Sequence, residues 1–189
     1  MNAGKVGKKA FLVFLALSIF FLVSINLDDN VSSFFSINHS KTLDLLLSMI
    51  TNFGILTVVL FLIPCILLYK KNNREIVALC ISSILATVVC IAIKIIVARP
   101  RPLAQAYKIT GILEYSFPSL HAAFVFSLAA ALIFFIPKKK YLWISIAVLA
   151  SFSRIYFNVH YLSDVLFGAM LGILMGLFSV WIYENHLKK

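Results

Sequence analysis

Charge is scarce in this chain, and negative charge is scarcest. Only 13% of its 189 residues are charged, and Asp and Glu together number 7. A soluble domain carries about a quarter charged residues, so the deficit excludes an ordinary water-exposed fold. Cysteine is also sparse. Cys65, Cys80 and Cys90 all lie inside apolar runs, and their odd number and spacing match no metal site; they read as small packing residues. There is no internal repeat, no low-complexity tract and no stretch polar enough for a soluble domain. The run after Lys5, Lys8 and Lys9 looks like a secretory leader but lacks a small-x-small cleavage site, so it reads as an uncleaved first span.

What the chain has is apolar length. Hydrophobic residues make up 62% of it and the mean hydropathy is +1.01. A spanning helix needs about 20 predominantly apolar residues. Six segments qualify: 10–26, 45–69 with a kink expected at Pro64, 76–97, 118–136, 141–157 and 162–183. The expected fold is an all-α bundle of six transmembrane helices, one integral-membrane domain over residues 1–189. Residues 31–37 read as a short interfacial helix.

The net charge of +10 in a soluble protein would suggest nucleic acid, but the cations are arranged by side. Lys5, Lys8, Lys9, Lys70, Lys71, Arg74, Lys138, Lys139, Lys140, Lys188 and Lys189 all fall on one face of the expected topology. The positive-inside bias makes that face cytoplasmic and puts both termini there. Six cations oppose the bias: Lys41, Lys94, Arg99, Arg101, Lys108 and Arg154. For Arg99 and Lys108, snorkelling to the interface explains the position as well as function does.

The other unusual groups gather on the same non-cytoplasmic face. Lys94, Arg101, His121, Arg154, His160 and Asp164 come from the ends of four spans, and ionisable groups at such depth mark functional sites. Lys94 and Arg101 are seven apart and share a face for as long as their helix persists. Such cations suit an anion, with the Arg fork matched to phosphate oxygens. Pro118-Ser119-Leu120-His121 opens the fourth span, where free amides point at the same anion; Ser119 either adds a hydroxyl or only caps the helix. His160 and Asp164, four apart, can pair so that one imidazole nitrogen is fixed and the other made basic. A zinc site fits His121, His160 and Asp164 by residue type, but three adjacent cations would repel the ion.

These residues resemble the type 2 phosphatidic acid phosphatase family. Its three motifs are matched by KIIVARPRP from Lys94 to Pro102, PSLH from Pro118 to His121, and SRIYFNVHYLSD from Ser153 to Asp164. All charged and histidine positions match in order and spacing; the family's glycine is Leu120 here. The resemblance implies that His160 attacks phosphorus and carries a phosphohistidine, Asp164 orients it, and His121 protonates the leaving oxygen. It further implies that Lys94, Arg101, Ser119, the Leu120 amide and Arg154 bind the phosphoryl oxygens, with no metal or other cofactor. The expected substrate is an envelope lipid: undecaprenyl diphosphate, phosphatidylglycerol phosphate, lipid A 1-phosphate or phosphatidate. The expected location is a bacterial inner membrane, with the site facing the periplasm or exterior and no nucleic-acid partner. A non-enzymatic lipid or anion transporter using the same cations is the alternative, against which stand the lack of paired repeats and of helices broken at mid-membrane. Soluble vanadate haloperoxidases share the motifs but not the six spans.

Overall fold

The computed structural model describes residues 3–69, 73–102 and 111–188, with side chains from Leu15 onward except those of Ile112 and Leu113. Lys70, Lys71, Lys108 and Lys189, and the side chains of Lys5, Lys8 and Lys9, lie outside the described residues. Among the described residues every regular element is helical: α1 (Ala3–Ile37), α2 (Lys41–Thr51), α3 (Phe53–Thr57), α4 (Ile63–Tyr69), α5 (Asn73–Val97), α6 (Leu120–Phe135), α7 (Lys140–Tyr156) and α8 (Leu162–Ile182).

Among the described residues three helical stretches are long and apolar enough to cross a bilayer: Leu15–Ile37, Asn73–Val97 and Leu162–Leu187. A fourth arises if the bent pair Lys41–Thr51 and Phe53–Tyr69 is one span. α6 and α7 have 16 and 17 residues, about 24–26 Å at 1.5 Å per residue, slightly short of a core of about 30 Å. The outward surface is apolar: Phe20, Ile66 and Ile96 are more than 60% exposed. This is the burial pattern of a protein solvated by lipid, and the chain is an integral membrane protein.

Three local expectations change. Residues 31–37 are not a separate interfacial helix but the last turns of α1, which runs 35 residues without a break. The main bend in the second apolar segment is at Asn52, where the axis turns by 49°, and not at Pro64. Asn52 adopts an extended conformation and its Oδ1 accepts from the Gly54 and Ile55 amides, so its side chain starts a new helix. A wide π turn, Val58–Leu62, precedes Pro64 and takes up the local irregularity. Finally, α6 begins at Leu120 with Ser119 as its N-cap; Pro118 stands outside the helix, after a cis bond from Phe117.

α6 is central. Ten of its 16 residues are buried, and it packs against α5, α7 and α8. A helix apolar all round belongs in such a place. Its tightest neighbour is α8, which presents Gly168, Gly172 and Gly176 at four-residue intervals. A Cβ at Gly168 would lie 2.6 Å from the Ser119 carbonyl oxygen, and one at Gly172 or Gly176 would meet the Ala123 or Ser127 carbonyl more closely still. The helices therefore touch backbone to backbone, as small residues allow in membranes.

Gly172→Ala forces these axes apart. Overpacking costs about 1–3 kcal/mol, so its thermal unfolding midpoint in detergent should fall by several degrees. Leu174→Ala, on the lipid face of the same helix at 42% exposure, should leave the midpoint within about 1 °C on the surface-substitution scale of about 0.5 kcal/mol. Equal midpoints for the two variants, read by scanning fluorimetry, would refute the close-packing account.

Candidate active site

The site forms at one end of the bundle, where α5 and α7 finish and α6 and α8 begin. α5 stops at Val97, and Ala98 takes φ 47°, turning the chain away. Lys94 and Arg101 therefore do not share a continuous helical face. They meet because the loop folds back. Lys94 is 1% exposed and its Nζ donates to the carbonyls of Tyr115 (2.8 Å) and Ser116 (3.2 Å). Arg101 donates to the carbonyls of Glu114 (3.2 Å) and Val159 (2.7 Å). Neutral carbonyls place a cation without cancelling its charge.

The end of α7 builds the other half. Asn158 has φ 52°, a left-handed conformation that Asn tolerates better than most residues. The turn lets the amides of Val159 and His160 both donate to the Arg154 carbonyl, at 3.2 and 3.3 Å. The backbones of Arg154 and His160 are thereby fixed side by side. The Asn158 side chain ties this turn to Ser32 on α1. Arg154 itself donates through Nη1 to the Thr51 hydroxyl at 2.7 Å.

His160 is 3% exposed. It precedes α8, so its pairing with Asp164 does not come from a shared helical face. Asp164 is the third residue of α8 and reaches back: Oδ2 accepts from the Tyr161 amide (2.9 Å) and lies 3.5 Å from His160 Nδ1. The opposite nitrogen, Nε2, is 3.3 Å from Arg101 Nη1. Burial, then the fields of Arg101, Arg154 and Lys94, hold the His160 pKa well below the usual imidazole value. The ring is thus a neutral base with one nitrogen turned to a carboxylate and the other to a cation.

α6 supplies the remaining face. The Ser119 amide donates to the Asp164 carbonyl at 3.0 Å, and the Ser119 hydroxyl caps the Ala122 amide at 3.5 Å. The side chain of Leu120 packs on the apolar cluster of Cys90, Ala123 and Leu171. The bulk that replaces the family glycine is thus taken up by packing. His121 lies edge-on to Phe53, with ring centroids 5.1 Å apart, and hydrogen-bonds the backbone of Thr51; it is within electrostatic reach of His160 and Arg154.

All eight sequence-derived site residues thus occupy this one end of the bundle. Sequence reasoning missed four neighbours: Arg99, Asp28, Ser163 and Thr51. Arg99 donates to Asp164 and Asp28, Asp28 accepts from Ser163, and Thr51 holds Arg154. Asp28 did carry a signal, a carboxylate closing an apolar span. Thr51 carried none. Among the described residues no group of three or more His, Cys, Asp or Glu could hold a metal ion.

Known proteins resemble the chain in sequence and in fold. The PAP2 superfamily model matches residues 75–188. An undecaprenyl-diphosphatase of Sulfolobus acidocaldarius is 34% identical over 182 residues, 90% of this chain and 88% of that protein. The bacitracin transport permease protein BcrC of Bacillus licheniformis is 30% identical over 59% of this chain and 57% of its own length. Two solved structures share the fold at TM-score 0.69: Aquifex aeolicus LpxE, 24% identical over 82% of this chain and 95% of that one, and a PAP2-type phosphatidylglycerolphosphate phosphatase of Bacillus subtilis, 20% identical over 92% and 96%. On the matched model and the near-full-length relative, the chain belongs to the PAP2 superfamily and is a membrane-embedded phosphatase.

Proposed function

We propose that this phosphatase removes the terminal phosphate of a polyprenyl diphosphate, with undecaprenyl diphosphate as the reference substrate. The observation that carries the chemistry is His160, buried between the Asp164 carboxylate on Nδ1 and Arg101 on Nε2. The lipid class rests on the relative that shares a third of its residues along nearly its whole length.

The Nε2 lone pair of His160 attacks phosphorus, the bond to the bridging oxygen breaks, and His121 gives its proton to the departing lipid phosphate. Asp164 stabilises the charge that develops on the ring. Water, relieved of a proton by His121, then attacks the phosphohistidine. The P–N bond breaks, its electrons return to Nε2, and orthophosphate leaves. Lys94, Arg101 and Arg154, with the Ser119 hydroxyl and the Leu120 amide, stabilise the equatorial oxygens, and fixed cations in a dry site do this without a metal. The first-turn amides of α6 point the same way.

The chain crosses the membrane six times in this reading, with α6 and α7 as short spans and α2 to α4 as one bent span. Both termini are cytoplasmic and the site faces outward, a reading that the cation asymmetry supports. A phosphate on a long tail suits that position: the tail stays in the bilayer while the head enters among helix ends.

Purified protein in detergent with EDTA should release phosphate from undecaprenyl diphosphate faster than from phosphatidylglycerol phosphate, lipid A or phosphatidate. His160→Ala should abolish turnover, and Arg154→Ala should slow it by about 10²–10³-fold, the scale of losing one preorganised charge, while folding normally. Normal turnover by His160→Ala would refute the nucleophile. Activity lost to EDTA and restored by zinc or magnesium would refute the metal-free mechanism. Anion binding without release from any of the four lipids would point to transport.

A further inference from the structure

Two arginines flank Pro100, and the fold sends them to different tasks. The backbone between them is held down. The Ser116 amide donates to the Arg99 carbonyl at 2.7 Å, and the Ser116 hydroxyl donates to the Pro100 carbonyl at 2.9 Å. From this fixed loop Arg101 turns to His160 Nε2, the nitrogen assigned above to the attack on phosphorus. Arg99 turns the other way. Its Nη1 donates to the Ser163 hydroxyl (2.8 Å) and to Asp164 Oδ1 (2.9 Å), and its Nη2 donates to Asp28 Oδ2 (2.9 Å). Its guanidinium carbon lies 3.9 Å above the Tyr161 ring centroid.

Asp28 completes the brace from α1. Its Oδ1 accepts from the Ser163 amide at 2.9 Å and its Oδ2 from the Ser163 hydroxyl. A carboxylate on the first turn of α8 is favoured by the helix dipole. Asp28 is 2% exposed and Asp164 fully buried. If Arg99 swung out to a phosphate, it would leave both carboxylates without their cation, and stranding a buried charge is costly. So Arg99 is not placed to serve the substrate. It holds one oxygen of Asp164, and the Tyr161 amide holds the other. Together they set the rotation of the carboxylate that faces His160 Nδ1. The 3.5 Å gap there is longer than a formed hydrogen bond, and such contacts tighten in the substrate complex. A carboxylate free to rotate would miss that closure.

We propose that Arg99, braced by Asp28 and Ser163, is a positioning residue that locks the Asp164 carboxylate for its partnership with His160. It acts on catalysis and not on phosphate binding, and it rests on the phosphohistidine reading above.

The test uses the full chain in detergent with undecaprenyl diphosphate. It compares wild type, Arg99→Ala, Arg99→Lys, Asp28→Asn and Arg101→Ala. Three quantities are read: kcat per folded molecule (the folded fraction taken from the unfolding amplitude), KM, and the inhibition constant of orthophosphate. Arg99→Ala should lose about ten- to a hundredfold in kcat, the usual scale for removing an outer partner of a functional histidine, with KM and the phosphate constant within about threefold. Arg99→Lys should recover part of the loss, because one ammonium replaces the charge but not the fork. Asp28→Asn should show a smaller loss of the same kind. Arg101→Ala should weaken phosphate inhibition at least tenfold.

Wild-type kcat in folded Arg99→Ala overturns the proposal. So does weakened phosphate inhibition matching Arg101→Ala, which would make Arg99 a substrate ligand. A loss that vanishes once the folded fraction is counted would leave Arg99 a structural residue and also overturn it. Silence of the wild type would sink the polyprenyl-diphosphate reading together with this one, whereas wild-type turnover with an unimpaired Arg99→Ala sinks this one alone.

Discussion

The close approach of α6 and α8 is the constraint on which the site depends. Gly168, Gly172 and Gly176 let the α8 backbone rest on the carbonyls of Ser119, Ala123 and Ser127. At the outer end of that contact the Ser119 amide bonds the Asp164 carbonyl. The beginning of one helix is thus tied to the beginning of the other. Through that tie the chain's PSLH segment and His160 share a site, although about forty residues separate them. Without lipid–water contrast to drive helices together, packing and hydrogen bonds must do so, and side chains larger than glycine would weaken both.

The second constraint is electrostatic. Three cations within reach of one imidazole would repel each other in a dry site. Here neutral groups hold them in part: carbonyls for Lys94 and Arg101, and a hydroxyl for Arg154. The negative charge lies behind His160, in Asp164 and Asp28, and Arg99 sits between those two carboxylates. The site therefore has a positive front and a back in which one arginine offsets part of the charge of two carboxylates. α1 contributes to this through Asp28 and Ser32, so the first helix is part of the site's frame.

Much of this was legible beforehand, for reasons that differ by residue. Lys94, Arg154 and Asp164 were visible because a charge in an apolar run is costly and rarely idle. His160 and His121 were visible by motif and by side of the membrane. Arg99 was not, because an arginine at a span end is equally well explained by snorkelling, and only coordinates show it between two buried carboxylates. Thr51 was invisible for a stronger reason. A threonine in an apolar stretch carries no signal, and its contact with Arg154 depends on the 49° bend at Asn52. The bend was expected at Pro64 because proline is the commonest cause of kinks; an asparagine side chain capping a new helix competes with that rule and wins here.

Composition and charge order alone determined that the chain lives in a membrane, that it is helical, and that its unusual charged and histidine residues lie near one end of its helices. Those are consequences of solvation: apolar length must be buried in lipid, and charges must reach an interface. The tertiary structure decided how the groups meet. The i, i+4 spacing of His160 and Asp164 suggested a shared helical face, yet the pair forms across a helix start, because Asn158 turns the chain and Asp164 reaches back to the Tyr161 amide. Likewise Lys94 and Arg101 meet through a folded loop after α5 has ended. Spacing along a chain constrains contacts only while the helix continues. Where it stops, backbone turns and the partners supplied by other helices set the geometry.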